Sequence, residues 1–334
     1  MTQETSVALA MDWGGTWCRI AVVGRDGRIL WQSRVRNAAG ADKDKLLADA
    51  EDLIQQARTW CGAGRKIAGL GIAAAGPVDA DTGTLQEPPN LPALNGISLK
   101  AAWESRLNVP VNVGNDANMA ALGEYAYGAG LEARQFRADA NSLVYVTVST
   151  GIGGGVIDRG RLMLGARGLA AEVGHMVIDR SPDAPTCQCG NSGCLEALAS
   201  GTSIAKIARR RLADPGTNGG VLSELEPGLV TAERVLDAAG EGDSLSWSIL
   251  EDVIDALSTG LTNLLHLYNP DLIVMGGGVT FGMVRMGLLP RLYVQMQQRA
   301  MTEGHRSFHL IPSRLGDAPG MLGAASLVWN SSSG

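Results

Sequence analysis

The chain has 334 residues, enough for two domains of ordinary size, each with a buried core. Lysine and arginine total 28 against 34 aspartates and glutamates, and the net charge of −6 gives no general attraction to a nucleic-acid backbone or an anionic membrane. With 45% hydrophobic and 19% charged residues the composition is that of a packed globular protein, and no apolar run reaches the roughly 18 residues of a membrane span. The first residues lack the basic start of a signal peptide, so a cytoplasmic protein with neither nucleic acid nor membrane as partner is expected.

Residues 6–12, 18–23 and 29–35 read as strands joined by Trp13-Gly14-Gly15-Thr16 and by Arg25-Asp26-Gly27-Arg28, an antiparallel meander. Residues 41–61 carry Leu46, Leu47, Ala50, Leu53, Ile54 and Ala57 at helical spacing, and 67–74 return as a buried strand before the Gly76-Pro77 turn. A short helix (99–107), a strand (109–113) and a helix opened by Asn115-Asp116 (117–127) follow, which sets a carboxylate at a strand-to-helix edge. The meander then recurs: strand 143–149, the turn Thr150-Gly151-Ile152-Gly153-Gly154, a strand from 155 to 157, and the turn Asp158-Arg159-Gly160-Arg161. The pattern predicts two related halves with a cleft between them. Later segments are more helical (203–212, 231–239 and 245–268), then a strand at 271–275 enters Gly276-Gly277-Gly278, a helix spans 320–329, and the tail from Ser331 is expected to be unstructured.

Any one of these glycine clusters could be a plain strand-end turn, but three of them after apolar runs suggest a bound phosphate compound. In Asp12-Trp13-Gly14-Gly15-Thr16 the glycines let backbone N–H groups and the Thr16 hydroxyl meet phosphate oxygens, and Asp12 could hold a hydrated Mg²⁺. His175 with Cys187, Cys189 and Cys194 offers three thiolates and an imidazole, a closed tetrahedral set for a structural Zn²⁺, with a redox pair as the alternative. His266 reads as a satisfied core histidine, and Cys18 and Cys61 as buried thiols.

Together the D-x-G-G-T, T-G-I-G-G-G and late glycine-rich segments resemble the ROK family of sugar kinases and repressors, over essentially the whole chain. Cys187-Gln188-Cys189-Gly190-Asn191-Ser192-Gly193-Cys194-Leu195-Glu196 is similar to the family's C-x-C-G-x-x-G-C-x-E, and Glu172-Val173-Gly174-His175 to its E-x-G-H. The resemblance implies an α/β, duplicated actin/hexokinase-like (ribonuclease H-like) fold of two domains with an interdomain cleft. The small domain would be residues 1–115, joined by the C-terminal helix at about 318–330, and the large domain, with the zinc loop, residues 116–317. It implies ATP held by Asp12, Gly14, Gly15, Thr16, Thr150, Gly151, Gly153, Gly154, Gly277 and Gly278, the last two against the adenosine. It further implies sugar contacts from Asn115, Asp116, Glu172, His175 and Glu196, and a homodimer or homotetramer.

An isolated Asn-Asp pair before a helix is usually a cap. Asn115-Asp116-Ala117-Asn118, however, is similar to the family's sugar-site motif, whose aspartate is the general base; the setting between two phosphate turns favours that role for Asp116, because phosphoryl transfer needs an in-line hydroxyl, Mg²⁺ to neutralise charge, and a carboxylate to take the proton. The expected activity is ATP-dependent phosphorylation of a hexose, most simply glucose at its 6-hydroxyl. The alternatives are an N-acetylmannosamine, N-acetylglucosamine or fructose kinase, and more remotely a sugar-sensing regulator. A repressor would need a winged helix, and only 11 residues precede Asp12 here. One departure stands out: the family's A-G-E is Ala170-Ala171-Glu172 in this chain.

Overall fold

The structure, a computed structural model, describes residues 5–214, 216 and 220–331; of the tail expected to be unstructured, Ser331 instead ends the C-terminal helix and the last three residues lie outside the described ones. In chain order the first elements are β1 (Thr5–Trp13), β2 (Trp17–Gly24), β3 (Ile29–Arg36), α1 (Lys43–Cys61), β4 (Arg65–Ala74), β5 (Val78–Asp79), β6 (Thr84–Leu85), α2 (Leu99–Leu107), β7 (Val111–Asn115), α3 (Asp116–Tyr127) and α4 (Ala129–Phe136). They are followed by β8 (Leu143–Val148), β9 (Ile152–Asp158), β10 (Arg161–Leu162), α5 (Leu195–Ala199), α6 (Gly201–Ala213), α7 (Ala232–Gly240) and α8 (Ser244–Tyr268). The chain closes with β11 (Leu272–Gly276), α9 (Gly278–Arg285), α10 (Leu289–Arg299), β12 (His309–Pro312) and α11 (Pro319–Ser331).

The two five-stranded sheets share one plan. The first has the order β3-β2-β1-β4-β7 and the second β10-β9-β8-β11-β12, so each begins as a meander and continues into two strands added on the far side of its first strand. β1 runs antiparallel to β2 and parallel to β4, and β4 runs parallel to β7; in the second sheet β11 lies parallel to both β8 and β12. This is the duplication expected from the repeated glycine turns.

Contacts divide the chain into two compact units. The first takes the residues up to Asn141, Gly155–Ala171 and the segment from Arg314 onward, and the second takes Ser142–Gly154 and Glu172–Ser313. Asp116 and α3, assigned by the sequence reading to the large half, therefore group with the first unit. The reason is close packing of α11 on α3 and β4: a Cβ at Gly323 would lie 1.7 Å from the Met119 carbonyl oxygen, and one at Gly71 would lie 1.9 Å from that of Ala324. Only glycine admits this approach. On the other face of the same sheet, Val7, Leu9, Met11, Ile20 and Val22 alternate inward and pack with Leu53 and Ile54 of α1 and with Trp103, as period-two and period-3.6 patterns require.

Local chemistry sets the helix ends. Asp42 caps α1 by accepting from Lys45 N–H at 2.9 Å, and Asn269, at φ 42°, closes α8 in the left-handed conformation before Pro270 stops it. His266 differs from its reading: it is exposed, and its Nε2 accepts from Met301 N–H at 3.1 Å. Its position lies on the solvent side of an otherwise apolar helix end, where a ring nitrogen is satisfied without burial. Cys18 and Cys61 are buried thiols, as expected. No helix among the described residues is long and apolar enough to cross a membrane.

Candidate active site and metal centre

In the first unit, register brings the chemistry to one sheet edge. Trp13 pairs with Ala74 and Ala74 with Asn115, so the C-terminal ends of β1, β4 and β7 are level, and Asp12 and Asn115–Asp116 lie at that same edge, on either side of β4. Carboxyl ends of parallel strands are where open α/β sheets bind ligands. Gly320, at the start of α11, leaves the space between them open: a Cβ on it would sit 3.8 Å from both Asp12 Cγ and the Asp116 carbonyl oxygen.

Asn115 is the cap of α3, its Oδ1 accepting from Ala117 N–H (3.0 Å) and Asn118 N–H (3.2 Å) while its Nδ2 donates to the Gly76 carbonyl at 3.0 Å. Asp116 Oδ1 also accepts from Ala117 N–H, at 2.8 Å. The capping reading and the functional reading are thus shared out. Asn115 reaches both the Ala117 and Asn118 N–H groups, Asp116 shares only the first of them, and Asp116 is half-buried at the edge.

Asp12 is largely buried and ion-paired with Arg19, whose Nη1 also donates to the Asp317 carbonyl at 3.1 Å. Burial pushes the Asp12 carboxyl above the usual range, and the Arg19 charge opposes that push. Between β1 and β2, Gly15 and Thr16 are exposed. Among the described residues, neither of their N–H groups nor the Thr16 hydroxyl has a protein partner, and donors left open on a glycine turn fit phosphate oxygens. Together with the Asp12 carboxylate they form a donor set suited to a Mg²⁺-nucleotide.

In the second unit the turn after β8 presents Thr150 and Gly151. Thr202 donates to the Thr150 carbonyl through its N–H (3.2 Å) and Oγ1 (2.9 Å), and Gly201 N–H donates to Ser149 O at 2.7 Å. Glu196 Oε2 accepts from Ile152 N–H at 2.8 Å, and a Cβ at Gly151 would come within 2.6 Å of that oxygen. Gly277 has φ +90°, and a Cβ there would meet the Val148 carbonyl oxygen at 2.4 Å, so the turn into α9 requires glycine.

His175, Cys187, Cys189 and Cys194 offer four ligand atoms all within 4.8 Å of one another. The Cys189 and Cys194 sulfurs are 3.7 Å apart, and Cys187 Sγ is 3.6 Å from His175 Nδ1. Thiolates on a tetrahedral zinc at about 2.3 Å lie roughly 3.8 Å from one another, so the arrangement fits the metal, and it is far from the roughly 2 Å separation of a disulfide. Burial pushes the Cys187 thiol up and Cys194 up to about 12, while the Asn191 N–H draws exposed Cys189 down to about 7. Cys187 Sγ lies 3.8 Å from Glu196 Oε1, which joins the cluster to the glycine turn through one carboxylate. Glu172 is partly exposed; the protein packed against its carboxyl raises its pKa, His175 lowers it, and the Glu196 charge raises it again.

The sequence-selected residues thus form two groups: Asp12, Gly14, Gly15, Thr16, Asn115 and Asp116 in the first unit, and Thr150, Gly151, Gly153, Gly154, Glu172, His175, the three cysteines, Glu196, Gly277 and Gly278 in the second. Sequence reasoning missed Gly76 and Asn37, which bond to these groups from distant positions in the chain. It also missed the tie from Glu196 to Ile152 N–H. No local motif signals any of the three.

The ROK family model matches residues 8–331. The glucokinase of Thermotoga maritima is 31% identical over 322 residues, covering 96% of each chain, and a putative xylose repressor of Caldicellulosiruptor is 28% identical over 331 residues, covering 98% of this chain and 79% of the repressor. Among solved structures, a ROK family glucokinase of Streptomyces griseus, in complex with glucose and AMPPNP, superimposes with a TM-score of 0.76 at 29% identity, covering 97% of this chain and 99% of that one. With the family model spanning nearly its whole length and the duplicated sheets of the actin/hexokinase-like fold, the chain belongs to the ROK family.

Proposed function

We propose that this ATP-dependent sugar kinase transfers the γ-phosphoryl group of ATP to the 6-hydroxyl of glucose, with Asp116 as general base. The observation that carries the reading is the shared strand edge, where Gly320 lies between Asp12 and the Asp116 backbone, and where β1 runs into a glycine turn with open N–H donors. Asp116 accepts the proton of the 6-hydroxyl, the freed oxygen bonds to the γ-phosphorus, and the bond to the ADP oxygen breaks. Gly15, Thr16, Thr150 and Gly151 hold phosphate oxygens, and Gly277 and Gly278 lie against the adenosine. Mg²⁺, held through Asp12, supplies charge neutralisation when bound.

Asn115, Glu172, His175 and Glu196 bind the sugar hydroxyls. Zinc on His175, Cys187, Cys189 and Cys194 is structural, since four protein ligands leave no position for water. Glu196 supports this reading, since the same carboxylate touches the cysteine cluster and the glycine turn. The family resemblance adds a cytoplasmic homodimer or homotetramer.

The test is ADP release with MgATP against glucose, fructose, N-acetylglucosamine and N-acetylmannosamine, with the product identified. Glucose should give the highest kcat/KM, and the product should be glucose 6-phosphate. At least tenfold preference for an N-acetylhexosamine overturns the glucose assignment, and no sugar-dependent ADP release overturns the kinase reading.

A further inference from the structure

We propose that Asn37 is a positioning residue for the donor nucleotide, holding the Gly14–Thr16 turn so that its amides face a phosphate; the inference rests on the kinase reading above. Asn37 lies just past β3, where the pairing of Trp17 with Arg36 carries it alongside the turn. Its N–H donates to the Thr16 carbonyl at 2.9 Å, and its Nδ2 donates to the carbonyls of Gly14 (2.8 Å) and Gly15 (3.0 Å). One residue therefore satisfies every carbonyl of the turn. Gly14 N–H is taken by the Trp17 carbonyl at 3.0 Å, which leaves the N–H groups of Gly15 and Thr16 as the open ones.

Carbonyl and amide of a trans peptide point in opposite directions, so tethering the carbonyls on the Asn37 side turns the amides to the other side. Asn90 also packs against the turn: a Cβ at Gly15 would meet Asn90 Cβ at 3.0 Å and the Asn90 carbonyl oxygen at 3.2 Å. Gly15, Thr16, Asn37 and Asn90 also line a cavity of about 660 Å³, a volume in the range of small-molecule sites. The turn is thus held by Asn37 and packed against Asn90 before any ligand arrives, and this preorganisation raises phosphate affinity.

The test uses the full-length, zinc-loaded protein. MgADP affinity is measured by calorimetry without sugar, and steady-state constants for MgATP and glucose are measured for wild type, Asn37→Ala and the near-isosteric Asn37→Asp, which keeps the shape and loses the two side-chain donors. Asn37→Ala should weaken MgADP binding tenfold or more and raise the KM for MgATP comparably, while kcat and the sugar KM change less than threefold. Asn37→Asp should be at least as impaired, and both variants should keep their thermal midpoints within about 2 °C, because the turn is exposed and its freed carbonyls can take water.

MgADP affinity within threefold of wild type in Asn37→Ala overturns the inference. So does an equal loss for sugar and nucleotide with a collapsed thermal midpoint, which is the signature of a purely structural residue. Wild-type protein that binds no MgADP overturns the kinase reading itself, a separate result.

Discussion

Ala171 stands where family relatives carry glycine in A-G-E, and it adopts φ +67°, the left-handed region. For an L-residue other than glycine that conformation costs roughly 1–2 kcal/mol, because Cβ crowds the following carbonyl. Ala171→Gly should remove this strain but add roughly 0.4–1 kcal/mol of unfolded-state entropy, so the net gain should lie between about 0 and 1.6 kcal/mol. The neighbouring Ala170 supplies the control. It is not among the residues with positive φ, and its N–H donates to the Leu164 carbonyl at 3.2 Å. Ala170→Gly therefore removes no strain and should lose roughly 0.4–1 kcal/mol. Urea unfolding of the zinc-loaded variants at 25 °C reads both changes as shifts in midpoint at unchanged slope. The opposite signs at adjacent alanines are the signature. If Ala171→Gly destabilised the protein as much as Ala170→Gly, residue 171 would not be left-handed in solution and the argument would fail.

Metal analysis of protein never exposed to chelator should find about one zinc per chain, and Cys189→Ala should lose it; under half an equivalent, or unchanged zinc in the variant, refutes the centre. Asp116→Ala should lower turnover roughly a thousandfold with little change in thermal midpoint, because Asn115 still caps α3 through Ala117 and Asn118; retention of more than about a tenth of wild-type turnover would assign the base elsewhere. Asp79 accepts from both the N–H (2.9 Å) and the Oγ1 (2.8 Å) of Thr82, and these bonds hold its carboxyl below the usual range. With the folded pKa depressed, its stabilisation is present above the unfolded value and lost as pH falls through the folded one. The difference in thermal midpoint between wild type and Asp79→Ala should therefore be largest near neutrality and shrink as pH drops toward 3, and a difference that grew on acidification would contradict the assignment.

Much of this protein was legible along the chain. Period-two alternation marked β1 to β3, helical spacing marked α1 and α8, and the spacing of Cys187, Cys189 and Cys194 marked the metal cluster, because each of these signals is written within a few turns of backbone. The short helices α4, α5, α9 and α10 and the strand β12 were missed. Their local patterns are weak, and their form comes from neighbours, as with β12, which exists by pairing with β11.

Tertiary structure alone decided the rest. Sheet register set Trp13 level with Asn115, close packing of Gly71 and Gly323 drew α11 and α3 into the first unit, and a side chain 22 residues beyond Gly15 closed the phosphate turn. Such contacts join positions far apart in the chain, and their energy depends on distances of a few tenths of an ångström. Residue type and spacing therefore could nominate Asp12, Asp116 and the glycine turns, but only the packed fold brings Asp12 and Asp116 to one edge and names Asn37 as the residue that holds the turn in place.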